Sequence, residues 1–374
     1  MISKKTLKIT TIVGTRPEII RLSVLIKKLD QLSDHRLLFS SQNRQAYVGY
    51  DFFNELGLRK PDSIMENSSN STAEFLASLL VFTENEIKNN RPDAVVILGD
   101  TNTALASIVV RKFGVPIYHL EAGNRSFDSN VPEESNRKIV DHISDFNLAY
   151  SNYAYQNLLT EGISPRNSIV IGTPLREVIG ENLSKITDSK ILDKLGLKPR
   201  DFFVVSCHRQ ENIDSPERLS TLITSLVEVA NAFNKPLIVS SHPRLQAMMQ
   251  KGSFKEHDLI RFLPPFGFLD YCKLQSESIL VLSDSGSISE ESSILNFRAL
   301  TLRDSMERPE ALESASIEMT GLESDRVISA IRRVLQNRIS VPTPQDYEIL
   351  NTSDRVINFI LSTYHVRNTW MGIR

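Results

Sequence analysis

Carboxylates, arginines and histidines collect at a few points of this chain, each just after an apolar, strand-like run. The densest is HLEAGNRSFDSNVPEESNR, residues 119–137, which sets Glu121, Asp128, Glu133 and Glu134 against Arg125 and Arg137. It begins where the apolar run at residues 116–120 stops and ends inside a segment of helical periodicity. In an open parallel sheet, ligands sit at the carboxyl ends of strands, in loops of this kind. Carboxylates crowded into a cleft repel one another, so one of them can exchange a proton near neutrality. A solvated αβ loop has the same composition, so the residues by themselves leave both readings open. Asp100 follows another buried-type run, residues 94–98, within Gly99-Asp100-Thr101. It fits a helix cap and a site carboxylate equally well.

Anion-binding chemistry is suggested at two further strand ends. GTRPEIIR, residues 14–21, follows the β-branched run Lys8–Val13 and puts Pro17 at a first helical position. Backbone N–H groups there, with Arg16 and Arg21, suit a phosphate or a carboxylate. The stronger anion site is SDSGSISEE, residues 283–291, where N–H groups, hydroxyls and a helix dipole converge. A capped helix, with Ser285 or Ser287 as N-cap and Glu290 or Glu291 reaching back, accounts for the same residues. Cys207 and His208 are neighbours on an extended strand, so they point to opposite faces and do not form a nucleophilic dyad. His208 with Arg209 fits a phosphate or proton-transfer role better. His119 with Glu121, or His208 with His242, lacks the short repeated spacing of a metal site, so no metal is expected. RDSMERPE, residues 303–310, reads as an ion-paired loop or as a segment that closes over a ligand.

The elements that must position these residues alternate strand and helix. Strand-like runs fall at residues 8–13, 37–40, 94–98, 116–120, 146–149 and 168–171, with helices at residues 72–90 and 133–143. A second series follows, at residues 202–206, 236–240, 259–263, 279–282 and 299–302. Alternation of this kind means α/β with parallel sheets. At 374 residues the chain is long for one core. We expect two Rossmann-like domains, 1–172 and 173–354, with a cleft between them, and a helical tail, 355–374, packing back on the first. A net charge of −2 excludes a general affinity for nucleic acid or an anionic membrane. No apolar run reaches the ~20 residues of a membrane helix, and no signal peptide precedes the first strand. Two cysteines give no disulfide framework. A soluble, cytoplasmic chain is the expectation.

Taken together, GTRPEIIR, the GDT of residues 99–101, HLEAGNR, PEESNR, CHRQEN, SDSGSISEES and RDSMERPE resemble the non-hydrolysing UDP-N-acetylglucosamine 2-epimerases. The match runs in order over nearly the whole chain. The resemblance implies two Rossmann-like parallel-sheet domains in the GT-B arrangement, a homodimer, and a reaction without metal or other cofactor. It also implies the chemistry: the C2 proton is removed and UDP expelled, then UDP is re-added with a proton delivered to the opposite face of C2. By the same resemblance, Asp100, Glu121 and Glu133 are the acid–base candidates. Arg16, His208 and Arg137 would stabilise the departing diphosphate, and Ser285, Gly286 and Ser287 would hold phosphate. Glu291 would hold the ribose, Phe266 and Gly267 would cradle uracil, and Arg308 matches a cleft arginine.

Three features differ from much of the family. Arg21 stands where many members have Lys, Ser287 replaces a common Gly, and the loop SFDSNV, residues 126–131, is short. That loop resembles the branch acting on modified UDP-2-acetamido sugars for capsule or O-antigen, including the UDP-N-acetyl-L-fucosamine type. UDP-N-acetylglucosamine itself is the alternative substrate. A GT-B glycosyltransferase or a silent nucleotide-sugar binder would use the same framework, but the acidic density of Asp100, Glu121 and Glu133 favours the epimerase. Asn70-Ser71, where many members carry an Arg-Gln pair for a regulatory second ligand, predicts activity without an activator.

Overall fold

The computed structural model describes residues 7–42, 52–69, 71–207, 209–241, 245, 257–336 and 342–373. The chain divides into two compact units, Met1–Glu181 with Asp346–Arg374, and Asn182–Gln345. Residues 173–181 and 346–354 therefore belong to the first unit, not the second. Local bonds explain it: the Thr352 hydroxyl donates to Ile171 O, and Ser353 N–H and hydroxyl both reach the Glu177 carboxylate.

The first unit holds β1 (Lys8–Val13), β2 (Asp34–Phe39), β3 (Ser63–Ile64), β4 (Ala94–Leu98), β5 (Ile117–Leu120), β6 (Phe146–Ala149) and β7 (Ser168–Val170). They pair in the order β3-β2-β1-β4-β5-β6-β7, every pair parallel. The central strand β4, AVVIL, is apolar throughout and fully buried, as a strand covered on both faces must be. Ile12, Leu38, Val95, Ile97 and Ile117 bury one face against Phe75, Leu79, Leu105 and Val110. The C-terminal helix Thr352–Thr363 also belongs to this unit. Tyr118 stacks on Phe146 at 4.8 Å, Phe359 meets both edge-on, and the Tyr118 hydroxyl bonds Thr363 Oγ1 at 2.8 Å.

The second unit holds β8 (Phe203–Ser206), β9 (Leu237–Ser240), β10 (Ile260–Leu263), β11 (Val281–Ser283), β12 (Ala299–Thr301) and β13 (Glu318–Met319), ordered β10-β9-β8-β11-β12-β13 and again parallel throughout. Alternate residues face opposite layers. Phe203, Val205, Leu237 and Val239 pack on Leu222, Leu226 and Ile331, while Phe202, Val204, Ile238 and Val281 pack on Leu274, Ile288 and Ala311.

Both sheets are doubly wound, so each has a point where the strand order reverses. That point lies between β1 and β4 in the first unit and between β8 and β11 in the second. Open α/β sheets bind ligands there, at the carboxyl ends of the strands. Residues 14–21 and 99–101 emerge at the first of these points and residues 207–212 and 283–291 at the second, while residues 119–137 and 303–310 follow the neighbouring strands β5 and β12.

Candidate active site

At the first switch point, β1 runs into Gly14 and the helix Arg16–Leu32, with Pro17 in its first turn. Gly14 is needed for close approach: a Cβ there would lie 2.0 Å from both Ser40 Oγ and Thr103 Oγ1. Those hydroxyls bond one another at 2.7 Å, and Gln42 Oε1 accepts from Thr103 N and Oγ1 at 2.9 Å. Glu18 reaches back over this turn. Its carboxylate accepts from Gly14 N–H at 2.5 Å, Thr15 N–H at 3.2 Å and the Thr101 hydroxyl at 2.6 Å, so it ties the β1 loop to the β4 loop. Burial raises its pKa from 4.5 to about 7, and those hydrogen bonds only partly oppose the shift.

This raised pKa has a sign that can be tested. The folded state binds the proton more tightly than the unfolded chain, so the contribution of Glu18 to stability is full below pH 4.5 and is lost as pH rises through about 7. Wild-type Tm should therefore carry a downward component across that window. In Glu18→Gln that component should vanish, a result read from melts at several pH values.

Arg16 places its guanidinium 4.2 Å from the Phe52 ring centroid. Arg21, 6% exposed, lies over Tyr150 at 5.5 Å and puts Nε 3.8 Å from Glu121 Oε2. Asp100 and Glu121 leave adjacent strands, since Leu98 of β4 pairs with Leu120 of β5. Arg137 approaches Asp100 Oδ2 through Nε and Nη2, both at 2.7 Å. Its Nη1 bonds Glu134 at 3.0 Å. Arg137 is thus held by two carboxylates, Asp100 and Glu134. The helix Pro132–Ile143 sets this geometry, with Glu134 three residues before Arg137 on one face. Glu134 also accepts from Ser126 N–H and hydroxyl at 3.0 Å each. Burial works against its charge, but these bonds and Arg137 outweigh it and lower its pKa. Glu133 is half-buried in the first turn of the same helix. Glu121 has a left-handed backbone, φ 64°, uncommon for a residue with a side chain and a mark of a functional site.

At the second switch point, Asp284 ties the two loops together. Fully buried, it accepts from Arg209 N–H and Asn212 Nδ2 at 3.0 Å, while its own carbonyl accepts from Arg209 Nε at 3.3 Å. Ser287 precedes the helix Ile288–Leu295 without closing its first turn by a side-chain bond. Its hydroxyl donates instead to Glu291 at 2.8 Å, Gln275 donates to the other Glu291 oxygen at 2.5 Å, and Ser285 Oγ sits 3.0 Å from Ser287 Oγ. The capping box allowed by the sequence is not formed: Ser287 makes no side-chain cap bond, Glu291 reaches back only to its hydroxyl, and Glu290 turns to Arg308. Glu290 pairs with Arg308 Nε at 3.0 Å, and Glu307 pairs with Arg209 at 3.1 Å and Arg303 at 2.9 Å. Gly286 rests on this cluster. A Cβ there would meet Arg308 Nη1 and Glu307 Oε2 at 3.1 Å. Gly286→Ala should press on the end of the Arg308 side chain and loosen its pairing with Glu290, a cost of roughly 1 kcal/mol measurable by thermal melts. Phe266 is half-buried in the same layer as Ile288, and Gly267 caps the helix Phe268–Glu277.

His208, His242 and residues 43–45 and 70 lie outside the described residues. Cys207 is fully buried, and burial together with the Asp284 carboxylate pushes its thiol well up, consistent with an inert side chain. Both ring nitrogens of His119 are occupied, by Asp141 Oδ1 at 2.9 Å and Gly99 O at 2.8 Å, so it is not a metal ligand. Among the described residues no cluster of three or more His, Cys, Asp or Glu is arranged to hold a metal, and no helix is long and apolar enough to cross a membrane.

The family described as UDP-N-acetylglucosamine 2-epimerase matches residues 27–361. The chain belongs to that family. It is similar to the structure of the UDP-N-acetylglucosamine 2-epimerase of Rickettsia bellii, with 36% identity and a TM-score of 0.90 over 98% of this chain and 100% of that one. The Methanocaldococcus jannaschii UDP-GlcNAc 2-epimerase, in complex with UDP-GlcNAc and UDP, superimposes at TM-score 0.88 with 32% identity, covering 95% of this chain and 100% of that one. The UDP-2,3-diacetamido-2,3-dideoxy-D-glucuronate 2-epimerase of Pseudomonas aeruginosa is 29% identical over 89% of this chain and 94% of its own length. Glu18 and Asp141 went unnoticed in the motif reading, and Glu134 was noted there without a role. The T-x-x-E spacing of Thr15 and Glu18, and the three-residue spacing of Glu134 and Arg137, are the signals for the first and the last of these.

Proposed function

We propose that this chain inverts C2 of a UDP-2-acetamido sugar by eliminating UDP and adding it back. The observation that carries the reading is the emergence of Asp100 and Glu121 from adjacent strand ends, each beside an arginine, in a chain of this family. One carboxylate removes the C2 proton, the C–H electrons form a C1=C2 double bond, and the C1–O bond breaks with its electrons leaving on UDP. Return of UDP to C1 with a proton delivered to the opposite face of C2 completes the inversion. Acid–base groups on both sides of the sugar are needed, and Asp100, Glu121 and Glu133 are assigned to them. Arg16, His208 and Arg137 are assigned to the diphosphate, Arg137 also bonding Asp100. Ser285, Gly286, Ser287, Arg209 and Arg308 form the phosphate side, Glu291 takes the ribose, and Phe266 and Gly267 take uracil.

UDP-N-acetylglucosamine is the first substrate to test, because the relatives at 32–36% identity are UDP-GlcNAc 2-epimerases. One observation favours a modified sugar, the fucosamine or 2,3-diacetamido type. Phe127 in the short SFDSNV loop is 77% exposed at φ 54°, a bare apolar ring on strained backbone one residue from the Ser126–Glu134 bonds. The family resemblance extends the reading to a homodimer working in the cytoplasm on surface-polysaccharide precursors. Incubation of each candidate sugar with enzyme alone, without acceptor or activator, should yield one equilibrium mixture of C2 epimers from either side. Sugar transfer only on adding an acceptor would instead mark a glycosyltransferase.

A further inference from the structure

His119 lies on β5 opposite Ile97 of β4, and is 1% exposed. Its Nε2 points at the carbonyl of Gly99, the residue before Asp100, at 2.8 Å. Its Nδ1 meets Asp141 Oδ1 at 2.9 Å, and Asp141 Oδ2 accepts from Gly123 N–H at 3.1 Å and Arg125 Nη1 at 2.8 Å. Arg125 in turn forks onto Glu161, with Nε to Oε1 at 2.7 Å and Nη2 to Oε2 at 2.6 Å. Half-exposed His142 lies 3.3 Å from the same Glu161 Oε2. Both partners of the His119 ring are acceptors, so each ring nitrogen is placed to donate a hydrogen. Arg125 lies between two carboxylates, Asp141 and Glu161.

The ends of this chain of bonds are the turns that present Asp100 and Glu121. Gly99, Glu121 and Gly123 all have left-handed backbone, at φ 75°, 64° and 81°. The bond to Gly99 O holds the first turn and the bond from Gly123 N–H holds the second. Asn157 Nδ2 donates to Gly123 O at 3.0 Å, and a Cβ at Gly123 would lie 2.1 Å from Ala154 O, so the second turn is fixed from both sides. Apolar residues would fill the same space without the desolvation cost of buried charges. Charges directed at two turn backbones supply direction as well as filling.

We infer that His119, Asp141, Arg125 and Glu161 form a buried charge network that positions both candidate acid–base carboxylates, Asp100 and Glu121. The inference rests on the proposed C2 epimerisation, and its members act through those carboxylates, not on the sugar. In Asp141→Asn, kcat counted per UDP-binding site should fall about a hundredfold, with KM and UDP affinity within twofold of wild type. Glu161→Gln, at the half-exposed end where folding is least at risk, should show a smaller fall in the same direction. A merely structural network would lower yield and Tm and leave kcat per UDP-binding site unchanged in both variants, which overturns the inference. Two readouts need no turnover. Wild-type protein with nitrogen-15 histidine should show two His119 ring N–H resonances, and the carboxyl carbon resonances of Asp100 and Glu121 should both move in Glu161→Gln. A single ring N–H signal, or two unmoved carboxyl resonances, would overturn it even if no substrate were turned over. Absence of turnover in wild type with those signals present sinks the reaction instead and leaves the network standing.

Discussion

Glu121→Gln and Asp100→Asn are each expected to abolish turnover while UDP affinity stays within a few-fold of wild type. A lost general acid or base typically costs about 10²–10⁴ in rate. Both side chains sit in the first unit, each with an arginine, Arg21 3.8 Å from Glu121 and Arg137 2.7 Å from Asp100. The amide keeps the volume and removes the charge, so the loss falls on proton transfer and on the arginine that lost its partner. Ser285, Gly286 and Ser287, proposed above to hold the phosphate, belong to the other unit and keep their own bonds, so UDP affinity should survive if that proposal holds. Turnover and UDP titration on the same preparation check both halves. Near-wild-type activity in either variant removes that residue from the assignment.

Asp145→Ala is expected to cost about 3–5 kcal/mol of stability, because it leaves the buried Arg367 charge without an anion, only the neutral Gly114 O and Asn368 Oδ1 remaining as acceptors. Asp145 is fully buried and accepts from Arg367 Nε at 2.8 Å, Arg111 Nη1 at 2.5 Å and Ile117 N–H at 2.9 Å. It therefore joins the C-terminal segment, the start of β5 and the helix before it. Arg367 is 3% exposed and cannot regain water without leaving its site. The melting temperature should fall by on the order of ten degrees. The double variant Asp145→Ala with Arg367→Leu should recover part of the loss, since no buried Arg367 charge then remains. A fall of under 1 kcal/mol would mean that Arg367 finds water or another acceptor.

The strands that carry chemistry were legible because their signal is local. The apolar runs ending at Val13, Leu98 and Leu120 stop within a residue of where β1, β4 and β5 stop, so Asp100 and Glu121 fall at strand ends as the sequence suggested. Ser63–Ile64 and Glu318–Met319 were missed, since edge strands of two residues have no periodicity to detect. The segment after Gly99-Asp100-Thr101 opens as a 3₁₀ turn, Asn102–Ala106, before the helix Ser107–Lys112. Of the acidic pair on the helix Pro132–Ile143, Glu134 turned out to be the one paired with Arg137. The choice depends on which side of the helix faces Ser126, a contact across the loop. Asp141 was invisible for the same reason, lying 22 residues from the His119 it holds. Likewise, Glu18 reads as a first-turn acid, and only the packed structure reveals that it is buried.

The central claim is that the C2 proton leaves the sugar and returns from solvent. Wild-type enzyme with a UDP-2-acetamido sugar in heavy water, without acceptor, tests it by proton resonance at C2. The account predicts that the C2 proton signal disappears and that both epimers carry deuterium at C2. Epimers that retain the original C2 proton, or no exchange with any UDP-2-acetamido sugar tried, would contradict it.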